Sequence, residues 1–257
     1  GFYFSPDDFW LLHRQGHALS RNSAAADTRH NAELMAHNQA QVRELLTNYG
    51  PVDVIFFDGV ADGLKELAWS LQPQIVVTRG DMATPEQYIP DRPLPGPWEA
   101  CFTLGTQWAY KPTNEEYKSG GELIRMLIET RAKGGNLLIN VGPKPDGEIP
   151  VEQTARIQEM GLWLFVNGEA IHGTRPCAVI REPLTLAHEA WYTQDARNGT
   201  VYAAIVGEPW PKGERKVLTL RHVRACEQTE VDVLGQSGEV LEYRPDVIPA
   251  TTWRRTP

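Results

Sequence analysis

Over the first 175 residues, short unbroken apolar runs alternate with helical stripes. Residues 52–57 carry five apolar side chains between Pro51 and the pair Asp58-Gly59. A run this short, bounded by turn formers, predicts a strand buried on both faces, as in a parallel sheet. Residues 1–5, 75–78 and 136–141 read as further strands. Helices are predicted between them: over 27–48, where Val42, Leu45, Leu46 and Tyr49 form one stripe, and over 62–71, where Leu64, Leu67, Ala68 and Leu71 repeat at helical spacing. Two more are predicted over 121–133 and 151–167. This is the βαβ pattern, and four parallel strands make half of an eightfold barrel. After Pro176 the runs shorten to 189–193, 201–206, 216–220 and 230–233, separated by Gly, Pro and charged turns, which predicts an antiparallel sandwich. The predicted fold class is therefore α/β: a partial (β/α)8-type barrel over 1–175, followed by a small C-terminal antiparallel β-sandwich over 176–257.

Side chains alternate along a strand, so Val54, Phe56 and Asp58 share one face while Asp53, Ile55 and Phe57 share the other. Asp58 thus falls at the carboxyl end of its strand, where such folds place their chemistry. The alternative is that Asp58 caps the following helix. Residues 79–118 form a second informative stretch, with no regular periodicity and many prolines and aromatics. Connections of that length are usually functional. This one contains Glu86, Tyr88, Trp98, Glu99, Phe102, Trp108 and Tyr110. Aromatic faces suit the C–H faces of sugars and carboxylates supply acid, base or nucleophile, although the same aromatics would also pack the loop down. An acid at one strand end, Arg79 at the next and an acid-bearing aromatic loop together match the two-carboxylate layout of a glycosidase.

A formal charge of −8 and a pI near 5.4 argue against nucleic acid or an anionic membrane as partner. No apolar stretch approaches the roughly 20 residues needed to span a bilayer. The three cysteines, Cys101, Cys177 and Cys226, fit neither a disulfide scaffold nor a CxxC metal site. His13 and His17 have i, i+4 spacing, but their segment has no acid in a zinc-protease register, so neither metal nor cofactor is expected.

Several motifs occur in a fixed order: Val54-Ile55-Phe56-Phe57-Asp58-Gly59, Val77-Thr78-Arg79-Gly80-Asp81, Thr84-Pro85-Glu86-Gln87-Tyr88, Trp98-Glu99-Ala100-Cys101 and Gln107-Trp108-Ala109-Tyr110. They are followed by Leu137-Leu138-Ile139-Asn140-Val141-Gly142-Pro143 and by Asn167-Gly168-Glu169-Ala170-Ile171-His172-Gly173-Thr174. This ordered set resembles the α-L-fucosidases of glycoside hydrolase family 29. The resemblance covers the region before residue 176 and implies a catalytic barrel domain that hydrolyses fucosylated glycans or small α-L-fucosides with retention. Asp58 matches the family's nucleophile. For the acid/base, Glu86 is the first candidate and Glu99 the second. Arg79, Tyr3 and Trp108 match residues that contact the sugar.

The chain also departs from the family. Full-length members carry a His-Trp pair and a Lys-His-His-Asp-Gly motif ahead of the equivalent of Gly1, and neither occurs here. The expectation is a barrel lacking its N-terminal half, completed by assembly into a homo-oligomer. An inactive sugar-binding remnant and a fragment of a longer enzyme are the alternatives.

Overall fold

A computed structural model describes residues 1–235 apart from 19, 22, 212, 213 and 215. The chain divides into two compact units, residues 1–85 with 94–99, and residues 86–93 with 100 onward.

The first unit contains β1 (Phe2–Phe4), α1 (Phe9–Arg14), α2 (Ala32–Asn48), β2 (Val54–Phe57), α3 (Lys65–Leu71) and β3 (Val76–Val77). The three strands form a parallel sheet in the order β1-β2-β3, with Tyr3 opposite Phe56 and Ile55 opposite Val77. Ile55 and Phe57 are fully buried in a core with Val42 and Leu46 of α2, and with Leu64 and Ala68 at α3. Full burial of each of these Val, Leu, Ile and Phe side chains contributes about 1.5–3 kcal/mol. Helix α2 starts at Ala32 and not at the predicted Asp27, because the Asn31 carboxamide accepts from the Leu34 amide at 3.1 Å and fixes the start there.

The strand predicted as buried on both faces is fully buried on only one. Val54 and Phe56 are half-buried, because their face carries the polar cluster around Asp58. Asp58 is not a helix cap: α3 has Leu64 at its N-cap and no capping side chain, and the Asp58 carboxylate is engaged elsewhere. Helix α1 ends at Arg14, so His13 and His17 do not share a helical face.

In the second unit, β4 (Glu99–Thr103, whose first residue belongs to the first unit) pairs with β5 (Asn136–Asn140) in a two-stranded sheet. The fourth predicted strand, β5, is therefore not in the sheet of the first three. Stretch 79–118 is also not wholly irregular. Ala100, Cys101 and Phe102 are buried and form β4, whose apolar run is too short to stand out among prolines. Helices α4 (Gly120–Ala132) and α5 (Val151–Asn167) build a core around Leu104, Leu123 and Met160. Strands β6 (Thr174–Pro183), β7 (His188–Asp195) and β8 (Val201–Gly207) follow as an antiparallel sheet. Neither 216–220 nor 230–233 forms a strand. Val217 is 88% exposed, Val231 and Val233 are exposed too, and the segments pair with no neighbouring strand among the described residues. The chain is thus a mixed α/β protein with an antiparallel sheet after α5.

Candidate active site

The parallel register of β1 and β2 brings the site together. Asp58 continues β2, and its amide donates to the Phe4 carbonyl at 2.9 Å. On the far side, the Phe57 amide donates to the Arg79 carbonyl at 3.1 Å, which places Arg79 at the carboxyl end of β3, beside Asp58. The Tyr3 hydroxyl donates to Asp58 Oδ2 at 2.5 Å, and Arg79 Nη1 donates to Asp58 Oδ1 at 3.0 Å. Arg79 is held in turn by Thr84, through its hydroxyl at 3.1 Å and its carbonyl at 3.3 Å, and its guanidinium lies 5.0 Å from the centre of the Phe56 ring. Three predicted site residues, Tyr3, Asp58 and Arg79, therefore meet.

Sequence reasoning missed a fourth. Arg21, from the connection between α1 and α2, donates through Nη2 to Asp58 Oδ2 at 3.0 Å and to the Asp58 carbonyl at 2.9 Å, while its Nε pairs with Asp7. Nothing in the polar, aperiodic sequence around Arg21 signals a partner 37 positions away.

The electrostatics follow from these contacts. Partial burial alone would raise the Asp58 pKa, but the hydrogen bonds from Tyr3, Arg21 and Arg79 outweigh it and hold the carboxyl below its ordinary value. Partial burial, then the bond to Asp58, pushes the Tyr3 hydroxyl up to about 12, so it remains a proton donor at neutral pH. Glu99 is in the opposite situation. It follows the fully buried Trp98, its amide donates to the Ala83 carbonyl at 3.0 Å, and burial raises its carboxyl. Its Oε1 is buried and lacks a hydrogen-bond partner among the described residues. Glu86 and Trp108 belong to the second unit. Glu86 is exposed and forms a backbone bridge with Cys101, and Trp108 is 41% exposed. Among the described residues no group of three His, Cys, Asp or Glu side chains converges as a metal site would require, and no helix is long and apolar enough to cross a membrane.

The family profile described as alpha-L-fucosidase matches residues 3–169, which include every one of these side chains. The chain belongs to the α-L-fucosidase family. It is 33% identical over 227 residues to the plasma alpha-L-fucosidase of Rattus norvegicus, covering 78% of this chain and 48% of that protein. It is likewise 33% identical over 232 residues to the plasma alpha-L-fucosidase of Homo sapiens. This member of the family thus spans about half the length of the curated relatives it matches. Among solved structures it is similar to alpha-L-fucosidase isoenzyme 1 from Paenibacillus thiaminolyticus, with a TM-score of 0.63 and 31% identity over 76% of this chain and 54% of that one. It is also similar to the Thermotoga maritima alpha-fucosidase in complex with a mechanism-based inhibitor, with a TM-score of 0.61 and 28% identity over 69% of this chain and 44% of that one.

Proposed function

We propose that this fucosidase-family chain carries the reacting carboxylates of a retaining α-L-fucosidase, acting on terminal α-L-fucosides of a glycan or small molecule. The observation that carries the reading is the contrast between two acids of one unit. Asp58 is held ionised by three donors, whereas burial keeps Glu99 protonated to higher pH. A nucleophile and a general acid need that division.

In the first step an Asp58 oxygen attacks the anomeric carbon. The bond from that carbon to the aglycone oxygen breaks, and the carboxyl proton of the acid passes to the departing oxygen. In the second step the acid residue, now a carboxylate, removes a proton from water, whose oxygen attacks the anomeric carbon and releases Asp58 as a carboxylate. Two inversions give net retention, which calls for carboxyl groups about 5–5.5 Å apart. Burial and the unpartnered Oε1 favour Glu99 as acid/base over Glu86, which is exposed. Arg79 and Tyr3 orient Asp58 and face the sugar.

In this reading residues 1–175 are a partial (β/α)8-type barrel, with its chemistry at the strand carboxyl ends, followed by the antiparallel sheet of β6, β7 and β8. The chain assembles as a homo-oligomer in this reading. The test is hydrolysis of 4-nitrophenyl α-L-fucoside by the wild-type chain and by Asp58→Ala, with the mass in solution measured by light scattering. Turnover by the wild type, its loss in the variant and an oligomeric mass are expected. Undiminished turnover in the variant would overturn the role of Asp58, and a monomeric mass would overturn the homo-oligomer.

A further inference from the structure

The connection between α1 and α2 delivers Arg21 to Asp58 from a scaffold fixed on both sides. Buried Asn38 of α2 donates to the Pro6 carbonyl at 2.7 Å, while Asp8 caps α1 by accepting from the Leu11 amide at 2.8 Å and pairs with His37 at 3.0 Å. Asp7, between these anchors and only 12% exposed, pairs with Arg21 Nε. The planar guanidinium then spans two acidic residues, with Nε on Asp7 and Nη2 on the Asp58 carbonyl and Oδ2. Arginine is suited to this because its donors form a rigid fork.

A carboxylate has about four lone-pair directions, two on each oxygen. On Asp58, Oδ2 accepts from both Tyr3 and Arg21, whereas Oδ1 accepts from Arg79. Among the described residues, Oδ2 is therefore saturated and Oδ1 keeps one direction open. We propose that Arg21 is a positioning residue for Asp58, setting the rotation of its carboxylate so that Oδ1 is the oxygen presented to the anomeric carbon. The inference rests on Asp58 being the nucleophile. The charged and titratable groups around that carboxylate are Tyr3 from β1, Arg79 from the end of β3 and Arg21, with Asp7 behind Arg21.

The test compares Arg21→Ala and Arg21→Lys with the wild type, by the pH profile of 4-nitrophenyl α-L-fucoside hydrolysis and by ¹³C NMR titration of the Asp58 carboxyl. Lysine restores the charge but cannot bridge Asp7 and both Asp58 oxygens from one nitrogen. For Arg21→Ala the Asp58 titration and the acid limb of kcat/KM are expected to rise by about 1 pH unit, with kcat down by about tenfold to a hundredfold. Arg21→Lys should recover the titration but not kcat. Unchanged kcat and titration in Arg21→Ala would overturn the proposal, as would a lowered Tm with no change in either. If the wild type shows no turnover, the fucosidase reading of this chain fails. The NMR titration then decides alone, and an unshifted Asp58 in Arg21→Ala overturns Arg21's hold on it.

Discussion

Tyr3 and Phe56 are cross-strand partners in the parallel sheet, their rings stacked with centres 5.6 Å apart and planes 19° from parallel. Asp58 lies two residues beyond Phe56 on the same face, so the Tyr3 hydroxyl reaches one pleat forward to Asp58 Oδ2 at 2.5 Å. The register of the sheet thus sets the hydrogen bond to the candidate nucleophile. A slip of one residue would turn Tyr3 into the core and bring a phenylalanine beside the carboxylate.

Replacing Tyr3 by Phe keeps the stacking and removes only the donor. The bond favours ionised Asp58, so its loss raises the Asp58 pKa, and the acid limb of kcat/KM should move to higher pH. A hydrogen bond to a charged group is worth about 1.5–3 kcal/mol. This open setting takes the low end, so kcat/KM should fall about tenfold at neutral pH. Because Tyr3 is 65% exposed, Tm should fall only by the few degrees that losing this bond costs, about 3 °C. A pH–rate profile and a thermal melt check both. An unmoved acid limb would mean that Tyr3 does not tune Asp58.

Glu99→Gln and Glu86→Gln separate the two acid/base candidates through the leaving group. Nitrophenolate departs without a proton, whereas an alkoxide does not, so losing the general acid should hurt an alkyl fucoside far more than the 4-nitrophenyl one. For Glu99→Gln we expect a loss of about 10²–10⁴-fold on methyl α-L-fucoside, a much smaller loss in the first step with the nitrophenyl substrate, and no basic limb in the pH profile. Glu86→Gln should slow both substrates equally or not at all. The reverse pattern would assign the role to Glu86.

Arg79 reaches Asp58 partly because of the glycine that follows it. Gly80 has φ +107°, and a Cβ there would lie 2.7 Å from Ala61 Cβ and 3.3 Å from Phe57 Cβ. Gly80→Ala should therefore cost about 1–3 kcal/mol. It should also lower kcat, since relief of the clash moves the backbone that carries Arg79 and shifts the Gly80 carbonyl, which accepts from Lys65 Nζ at 3.2 Å. Denaturant melts and turnover of the same sample test the two effects together. A variant with wild-type stability and rate would show that the strand end tolerates the shift.

The parts of the site legible in the sequence are those encoded within one element. The parity of residues 54–58 places Asp58 on the face of Phe56, and the spacing of Leu64, Leu67, Ala68 and Leu71 matches α3 and its entry. Helix α1, six residues long, is too short to show a period, although Leu11 and Leu12 are buried. Strand β4 exists because β5 pairs with it, and pairing is invisible to a local pattern. Arg21 is the extreme case. Its side chain is half-exposed, its neighbours are polar, and only the folded chain brings it to Asp58.

Glu99 also links function to stability. Burial raises its carboxyl, so the native state binds a proton more tightly there than the unfolded chain does. The sign follows from linkage: stability is greatest below the ordinary glutamate range and falls as pH rises through the folded-state value, because the native state must then hold a buried charge. Its Oε1, which lacks a hydrogen-bond partner among the described residues, adds to that penalty. Glu99→Gln removes the charge while keeping the shape. It should therefore raise Tm at pH 7 and change it less at pH 4. A stabilised but slow variant is what a residue kept for chemistry gives. Calorimetry at the two pH values is the check, and a lower Tm at pH 7 would show that ionised Glu99 instead supports the fold.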